Sequence, residues 1–529
     1  FSFKFFLEFY KLCILYKSFI IKKNRYCESG ANRMTQQALF IIFGGTGDLA
    51  YRKLYPSLFR LYEKGYLKDN FAVIGTARRP WTDDHYHEVV MNAVADDGHE
   101  SDRTNSELAR KFASHFYYQS HNVNDTEHYV ALRNLADKLD EKYDLQGNRI
   151  YYLAMAPRFF GTIAAHLKSE KLITDHGYNR LIIEKPFGRD LKTAKELNDD
   201  ISAAFSEDQI YRIDHYLGKE AIESIAALRF GNQIVSSLWN KEHIDNIQIT
   251  LAESLGVEER AGYYETAGAL RDMVQNHILQ IISLLTMEKP SKYTASELRD
   301  RKVEALQNIK VYSKEEALQN FVRGQYGEDA DHTQSDYRHE EGTDEQSQIE
   351  TFVSGNLETE NKTLAGVPIY VRTGKRLARK STQINVVFKN VDTNIFDSTD
   401  ADSNLLDQNV LTLYIEPDQG YRLDLNVKDG GQTYGIMPIH LDYHKTAAEK
   451  AKIPEAYEKL IHDALDGNRT NFAHWHEVAQ AWRIVDVIRE AWDSEKADFP
   501  NYVSGSMGPQ ASQDLLKRDH RNWIFDATN

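Results

Sequence analysis

Residues 44–50 read Gly-Gly-Thr-Gly-Asp-Leu-Ala, with a G-x-G-x-x-A pattern from Gly45 to Ala50. Chemistry of this kind serves a dinucleotide. The first glycine permits a tight turn and the second lets backbone approach a pyrophosphate. A small residue at the last position lets the following helix pack on its strand, with its positive end facing the phosphates. Gly44, Gly45, Thr46, Gly47, Asp48 and Leu49 are therefore the candidate cofactor contacts. Further on, an apolar run Phe71–Gly75 ends in Thr76-Ala77-Arg78-Arg79. An acidic residue there would bind ribose hydroxyls, whereas an arginine fork suits a 2′-phosphate. Arg78 thus points to NADP, with NAD left open as a second cofactor. Each signal alone is weak, since Gly-rich turns and surface arginine pairs are common.

A second concentration is Arg212-Ile-Asp-His-Tyr-Leu-Gly-Lys-Glu220. Asp214, His215, Tyr216 and Lys219 fall within six positions, and His, Tyr and Lys all donate to a phosphate monoester. If the segment is helical, His215 and Lys219 share a face. A polar surface turn has the same composition. His277 lies among Met273, Ile281 and Leu284, where an isolated histidine is more often core than reactive. Asp272 precedes it by five residues, about 140° around an ideal helix. The two then share a site only at a helix start or across a wide pocket. Glu184, ahead of Lys185 and Pro186, reads equally as the close of a strand, and Lys375 after Gly374 as a turn lysine. No compact His/Cys/Asp set demands a metal.

These residues need elements to hold them. Ala38–Phe43, Phe71–Gly75, Arg149–Ala154 and Arg180–Glu184 read as buried strands separated by helical stretches, which makes residues 34–213 a Rossmann-like, doubly wound α/β domain. Residues 214–529 read as a larger α+β domain with a mostly antiparallel sheet. Its strands are expected at Asn246–Leu251, Gln383–Phe388, Val410–Ile415 and Tyr421–Asn426, and its long helices at 264–287 and 470–493. The polar, acidic stretch 324–362 reads as a surface excursion.

The 529 residues carry 64 basic and 79 acidic side chains, a formal charge of −15 that argues against broad nucleic-acid binding and requires a local basic cluster for an anionic substrate. Cys13 and Cys27 are the sole cysteines, so residues 34–529 hold no disulfide framework or thiol nucleophile. Residues 1–33 carry seven basic and two acidic residues and start on Phe1. Charges interrupt any membrane span there. The segment reads as spacer ahead of a start at Met34.

Beyond the single motifs, the chain resembles the glucose-6-phosphate dehydrogenases. The resemblance rests on 44–50, Glu184-Lys-Pro-Phe-Gly188, Arg212–Glu220, Arg271-Asp-Met-Val-Gln-Asn-His277, Gly366–Lys375 and Tyr502–Pro509, in family order. It implies oxidation of glucose 6-phosphate at C1 with NADP as acceptor. It implies His277 as general base paired with Asp214, and His215, Tyr216 and Lys219 as the phosphate and sugar grip. Glu253 and Asp272 become sugar-hydroxyl ligands, and Lys185 lies between substrate and nicotinamide. Lys375 and Lys380 are substrate-side lysines, and Arg78 the 2′-phosphate ligand. A cytoplasmic homodimer, or a dimer of dimers, with no membrane or nucleic-acid partner follows. The stretch 356–365 lacks the tryptophan common in the family. Another NADP-dependent sugar oxidoreductase, or a non-catalytic NADP-binding regulator, are the competing readings. The second predicts erosion of an acid–base pair that is intact here.

Overall fold

The computed structural model describes residues 37–97, 107–396, 406–431 and 435–526. The expectations for residues 1–33, the two cysteines and the start at Met34 lie outside that set.

Six parallel strands form the first sheet: β1 (Ala38–Phe43), β2 (Phe71–Ala77), β3 (Phe116–Ser120), β4 (Arg149–Leu153), β5 (Asn179–Ile183) and β6 (Ile210–Arg212), in the order β3-β2-β1-β4-β5-β6. Every residue of β1 is buried, as its unbroken apolar run requires. The strand order reverses beside β1, so the crevice for a ligand opens at the carboxyl ends of β1 and β4. β3 and β6 went unread because one is tyrosine-rich with polar residues and the other has three residues.

The second sheet holds β7 (Ile244–Ala252), β8 (Phe321–Gly324), β10 (Phe352–Leu357), β11 (Ile369–Gly374), β12 (Ser381–Phe388), β13 (Val410–Glu416), β14 (Gly420–Lys428) and β15 (Ile436–His444). Its order is β15-β14-β13-β12-β7-β11-β10-β8, antiparallel except for the β7–β11 pair. A small parallel pair joins β9 (Tyr326–Asp329) to β16 (Tyr502–Ser504). The expected excursion at 324–362 is corrected in part. Phe352–Leu357 is a fully buried strand whose Ser354, Gly355 and Asn356 disguise it in a hydropathy reading.

The helix expected at 264–287 is broken. Helix Ala261–Ala269 ends at Gly268 with φ +64, and a π-helical segment Leu270–Ile278 leads into helix Leu279–Thr286. A side chain at Gly268 would lie 2.3 Å from the Glu350 carboxylate, so glycine is needed for both space and conformation. Fully buried Glu350 accepts from the Leu270 N–H at 3.1 Å and pairs with Arg489 at 2.8 Å, which anchors the start of the π segment. Helix Ala456–Asp466 returns to the first sheet, where Arg180 donates to the carbonyl of Ala464 at 2.7 Å and Arg60 to Glu458 at 3.1 Å. Among the described residues, no helix is long and apolar enough to cross a membrane.

Candidate active site

A cleft of about 1140 Å³ runs between the two sheets, from Asp48, Leu49 and Arg52 at one end to Lys380 and Glu416 at the other. Asp48 and Leu49, at the end of the glycine turn, line its nucleotide end, while Gly44, Gly45, Thr46 and Gly47 lie outside the lining. Gly44 has φ +95, and a Cβ there would come 2.2 Å from the Ala154 carbonyl oxygen. A Cβ at Gly45 would meet the Cα of Gly75 at 2.9 Å. The left-handed residue is therefore Gly44, one position ahead of the pattern's first glycine. The N–H groups of Gly44 and Gly45 bond the Thr76 carbonyl at 2.9 and 3.0 Å, tying the turn to the end of β2. Thr46 and Gly47 are half-buried in this turn, Asp48 pairs with Arg52, and Ala50 is fully buried beneath it. Backbone free of side-chain bulk at a helix start fits a pyrophosphate. Arg78 stands exposed just past β2, outside the cleft lining but two residues from Thr76.

At the centre of the cleft, His277 is held from both sides. Its Nδ1 lies 2.5 Å from Asp214 Oδ1 and its Nε2 2.8 Å from Lys185 Nζ. With Nδ1 donating to the carboxylate, Nε2 is the basic atom. Lys185 also donates to Asp272 Oδ1 at 3.2 Å. The five-residue spacing of Asp272 and His277 is resolved by the π segment, whose wider turn and i→i+5 hydrogen bonding bring residues five apart to the same side of the axis. An α-helix would have turned them apart.

The segment 215–218 is a turn and not a helix, so His215 and Lys219 do not share a helical face. Lys219 is the N-cap of helix Glu220–Gly231. The turn instead lays the Tyr216 ring on His277 at 4.3 Å and the His215 ring edge-on to it at 4.7 Å. The Tyr216 N–H also donates to Asp214 Oδ1 at 3.0 Å.

The charges follow from burial. Burial opposes ionisation of Asp214, but the neighbouring His277, His215 and Lys185 outweigh it and hold the carboxyl well below the usual range. Burial opposes Asp272 ionisation too, and Lys185, Arg260 and Lys375 overcome it. Burial pushes His277 down, partly offset by Asp214 and reinforced by Lys185. A carboxylate at Asp214 beside a neutral His277 is the state this arrangement favours at neutral pH.

Toward the far end, Lys219 Nζ lies 2.9 Å from Glu416 and 3.8 Å above the Tyr216 ring, and Lys380 reaches the same carboxylate at 4.0 Å. Lys375 pairs with Glu253. Lys185, His215, Tyr216, Lys219, Glu253, Asp272, His277, Lys375 and Lys380 all line the one cleft, with Asp214 behind His277.

Several participants carry no local sequence signal. Tyr263 donates to Asp272 at 3.1 Å, and Glu416 merely ends a strand. Asp214, His215 and His277 each bring one donor atom within 4.8 Å of the others, a grouping that the 62-residue gap from His215 to His277 hides. The Asp214–His277 hydrogen bond already engages the facing atoms of two of them.

Glu184, beside Lys185, is buried and accepts from Tyr152 at 2.6 Å. Burial pushes its carboxyl up from 4.5 to about 7, against the Tyr152 hydrogen bond and the Lys185 charge. The unfolded chain then ionises first as pH rises. Stability from this group is full below pH 4.5 and is lost as pH climbs through about 7, by roughly 3 kcal/mol. Glu184→Gln should remove that slope in denaturant unfolding at pH 5 and 8. An unchanged slope would place the titration elsewhere.

A Rossmann-like sheet whose glycine turn opens into the same cleft as a histidine–carboxylate pair defines a dinucleotide-dependent oxidoreductase. Two family models match in succession, "Glucose-6-phosphate dehydrogenase, NAD binding domain" over residues 41–224 and "Glucose-6-phosphate dehydrogenase, C-terminal domain" over 226–524. The chain belongs to the glucose-6-phosphate dehydrogenase family. It is 50% identical to a glucose-6-phosphate 1-dehydrogenase of Streptococcus pneumoniae over 93% of this chain and 97% of the relative. The corresponding Bacillus subtilis protein is 48% identical over 92% and 98%. A solved glucose-6-phosphate dehydrogenase in complex with its substrate glucose-6-phosphate superposes with a TM-score of 0.83 at 32% identity, covering 94% of this chain and all of that one.

Proposed function

We propose that this chain oxidises glucose 6-phosphate at C1 to 6-phosphoglucono-δ-lactone. The observation that carries this reading is the Asp214–His277–Lys185 chain, placed in a cleft continuous with the glycine turn. NADP, when bound there, supplies the hydride acceptor. The side chains do the rest. His277 Nε2 takes the C1 hydroxyl proton as C1–H leaves with its electron pair, and the ring oxygen and C1 carbonyl remain as the lactone. Asp214 fixes the tautomer and stabilises the imidazolium that forms. Lys185 lies between substrate and nicotinamide, and its charge, 2.8 Å from Nε2, disfavours a proton on that atom before the C1 hydroxyl supplies one. Glu253, Asp272 and Lys375 orient the sugar hydroxyls. His215, Tyr216, Lys219 and Lys380 receive the phosphate. Gly44, Gly45, Thr46, Gly47, Asp48 and Leu49 cradle the cofactor. Mixing protein, glucose 6-phosphate and NADP should raise absorbance at the NADPH wavelength, and no rise would refute the assignment.

Arg78 reads the 2′-phosphate in this account. Arg78→Ala should weaken NADP on the order of 10- to 100-fold with little effect on NAD, the worth of one charge-assisted bond. Equal losses for both cofactors in steady-state titrations would remove Arg78 from that role.

The functional division falls at 213/214, between the cofactor sheet and the substrate part. The outer strand β15 exposes Met437, Leu441 and Tyr443 by 43, 54 and 46%, an apolar surface that favours a homodimer through the second sheet. Both small molecules are cytoplasmic metabolites, and the protein is assigned to that compartment.

A further inference from the structure

Glu416 stands where its charge opposes the reaction just described. It ends β13 opposite Thr382, the second residue of β12, so the two strand ends bring its carboxylate beside Lys380 and across from Lys219 at the helix N-cap. It lies 2.9 Å from Lys219 Nζ and 4.0 Å from Lys380 Nζ, and its side chain is 32% exposed at the cleft wall. A phosphate monoester carries up to two negative charges near neutrality. Any such group that reaches these two ammonium groups meets a third charge of its own sign at contact distance.

We propose that Glu416 is an internal counter-anion that competes with the substrate phosphate for Lys219 and Lys380, and thereby sets how tightly the cleft holds phosphorylated sugars. The inference rests on the reading that these lysines receive the phosphate. Two physical effects define it. The carboxylate keeps the two lysines paired, offsetting the burial that pushes Lys219 down. It also raises the cost of the phosphate, which must displace it or bind beside it. A weak anion then fails to displace Glu416, while a dianion that gains the His215 and Tyr216 contacts as well succeeds. The carboxylate thus lowers the affinity of the cleft for every phosphate that reaches the two lysines.

The test compares Glu416→Gln and Glu416→Asp with the unsubstituted protein, using KM and kcat for glucose 6-phosphate, KM for NADP, and inhibition by inorganic phosphate. Glu416→Gln should lower the KM for glucose 6-phosphate and the inhibition constant of phosphate together, by about 3- to 10-fold, the scale of one half-exposed charge contact. KM for NADP should not follow. Glu416→Asp, which keeps the charge, should stay within about twofold of the unsubstituted values. A KM that is unchanged or raised in Glu416→Gln overturns the proposal, a rise marking Glu416 as a sugar ligand. Lys219→Ala separates the two layers. If it leaves KM unaltered, the phosphate assignment itself fails. If it raises KM while Glu416→Gln has no effect, only the counter-anion role falls.

Discussion

His277→Asn should lower kcat by at least about 100-fold at saturating glucose 6-phosphate and NADP, the lower bound for loss of a general base. Asparagine keeps the volume and polarity of the site, so the fold and much of the substrate affinity remain. Asp214→Asn lowers kcat as well, because an amide neither stabilises the imidazolium nor fixes the tautomer with Nδ1 protonated. The double substitution is little worse than His277→Asn alone, since the two side chains act as one unit through their 2.5 Å contact. The pH profile carries the same signature. The proposed reaction uses His277 in its neutral form, and burial with Lys185 holds its pKa below the ordinary imidazole value. Activity is therefore retained through neutral pH and falls only as pH drops below the ordinary range near 6.5. Removing Asp214 deletes the charge that raises His277, so the acid limb moves lower still while the weaker base slows turnover. A His277→Asn protein with more than about a tenth of normal kcat lies outside the general-base range and leaves the base unidentified.

The second large effect belongs to the phosphate. His215, Tyr216, Lys219 and Lys380 line the same cleft, and charge-assisted bonds contribute about 1.5–3 kcal/mol each. Free glucose, which makes none of them, should have a kcat/KM at least ~10³-fold below that of glucose 6-phosphate. Lys219→Ala should raise KM for glucose 6-phosphate by about 10- to 100-fold and leave KM for NADP nearly unchanged. Comparable efficiency on both sugars in initial-rate assays would favour a different sugar oxidoreductase.

The nucleotide half was legible because its requirements are local. A continuous apolar run, three glycines and a small residue specify a strand, a turn and a helix start within a dozen positions. Even there the positive φ falls on Gly44, since the constraint comes from Ala154, just past the neighbouring strand β4. The catalytic half was less legible. The spacing of Asp272 and His277 reads against a shared site under α-helical geometry, and only the π segment Leu270–Ile278, which follows the break at Gly268 and is pinned by Glu350, reconciles it. Glu350 lies 73 residues beyond His277. Glu184 likewise draws its partners Tyr152 and Tyr457 from distant parts of the chain. The buried strand β10 escaped because its burial comes from neighbours on both sides and not from its own composition. Local propensity sees none of these tertiary effects.

In the proposed reaction hydrogen passes directly from C1 of the sugar to the cofactor, and His277 takes only the hydroxyl proton. Glucose 6-phosphate carrying deuterium at C1, turned over with NADP in ordinary water, tests it most directly. Mass spectrometry of the products should find the deuterium in NADPH and none in the solvent or the lactone. Deuterium released to water, or unlabelled NADPH, would contradict the account.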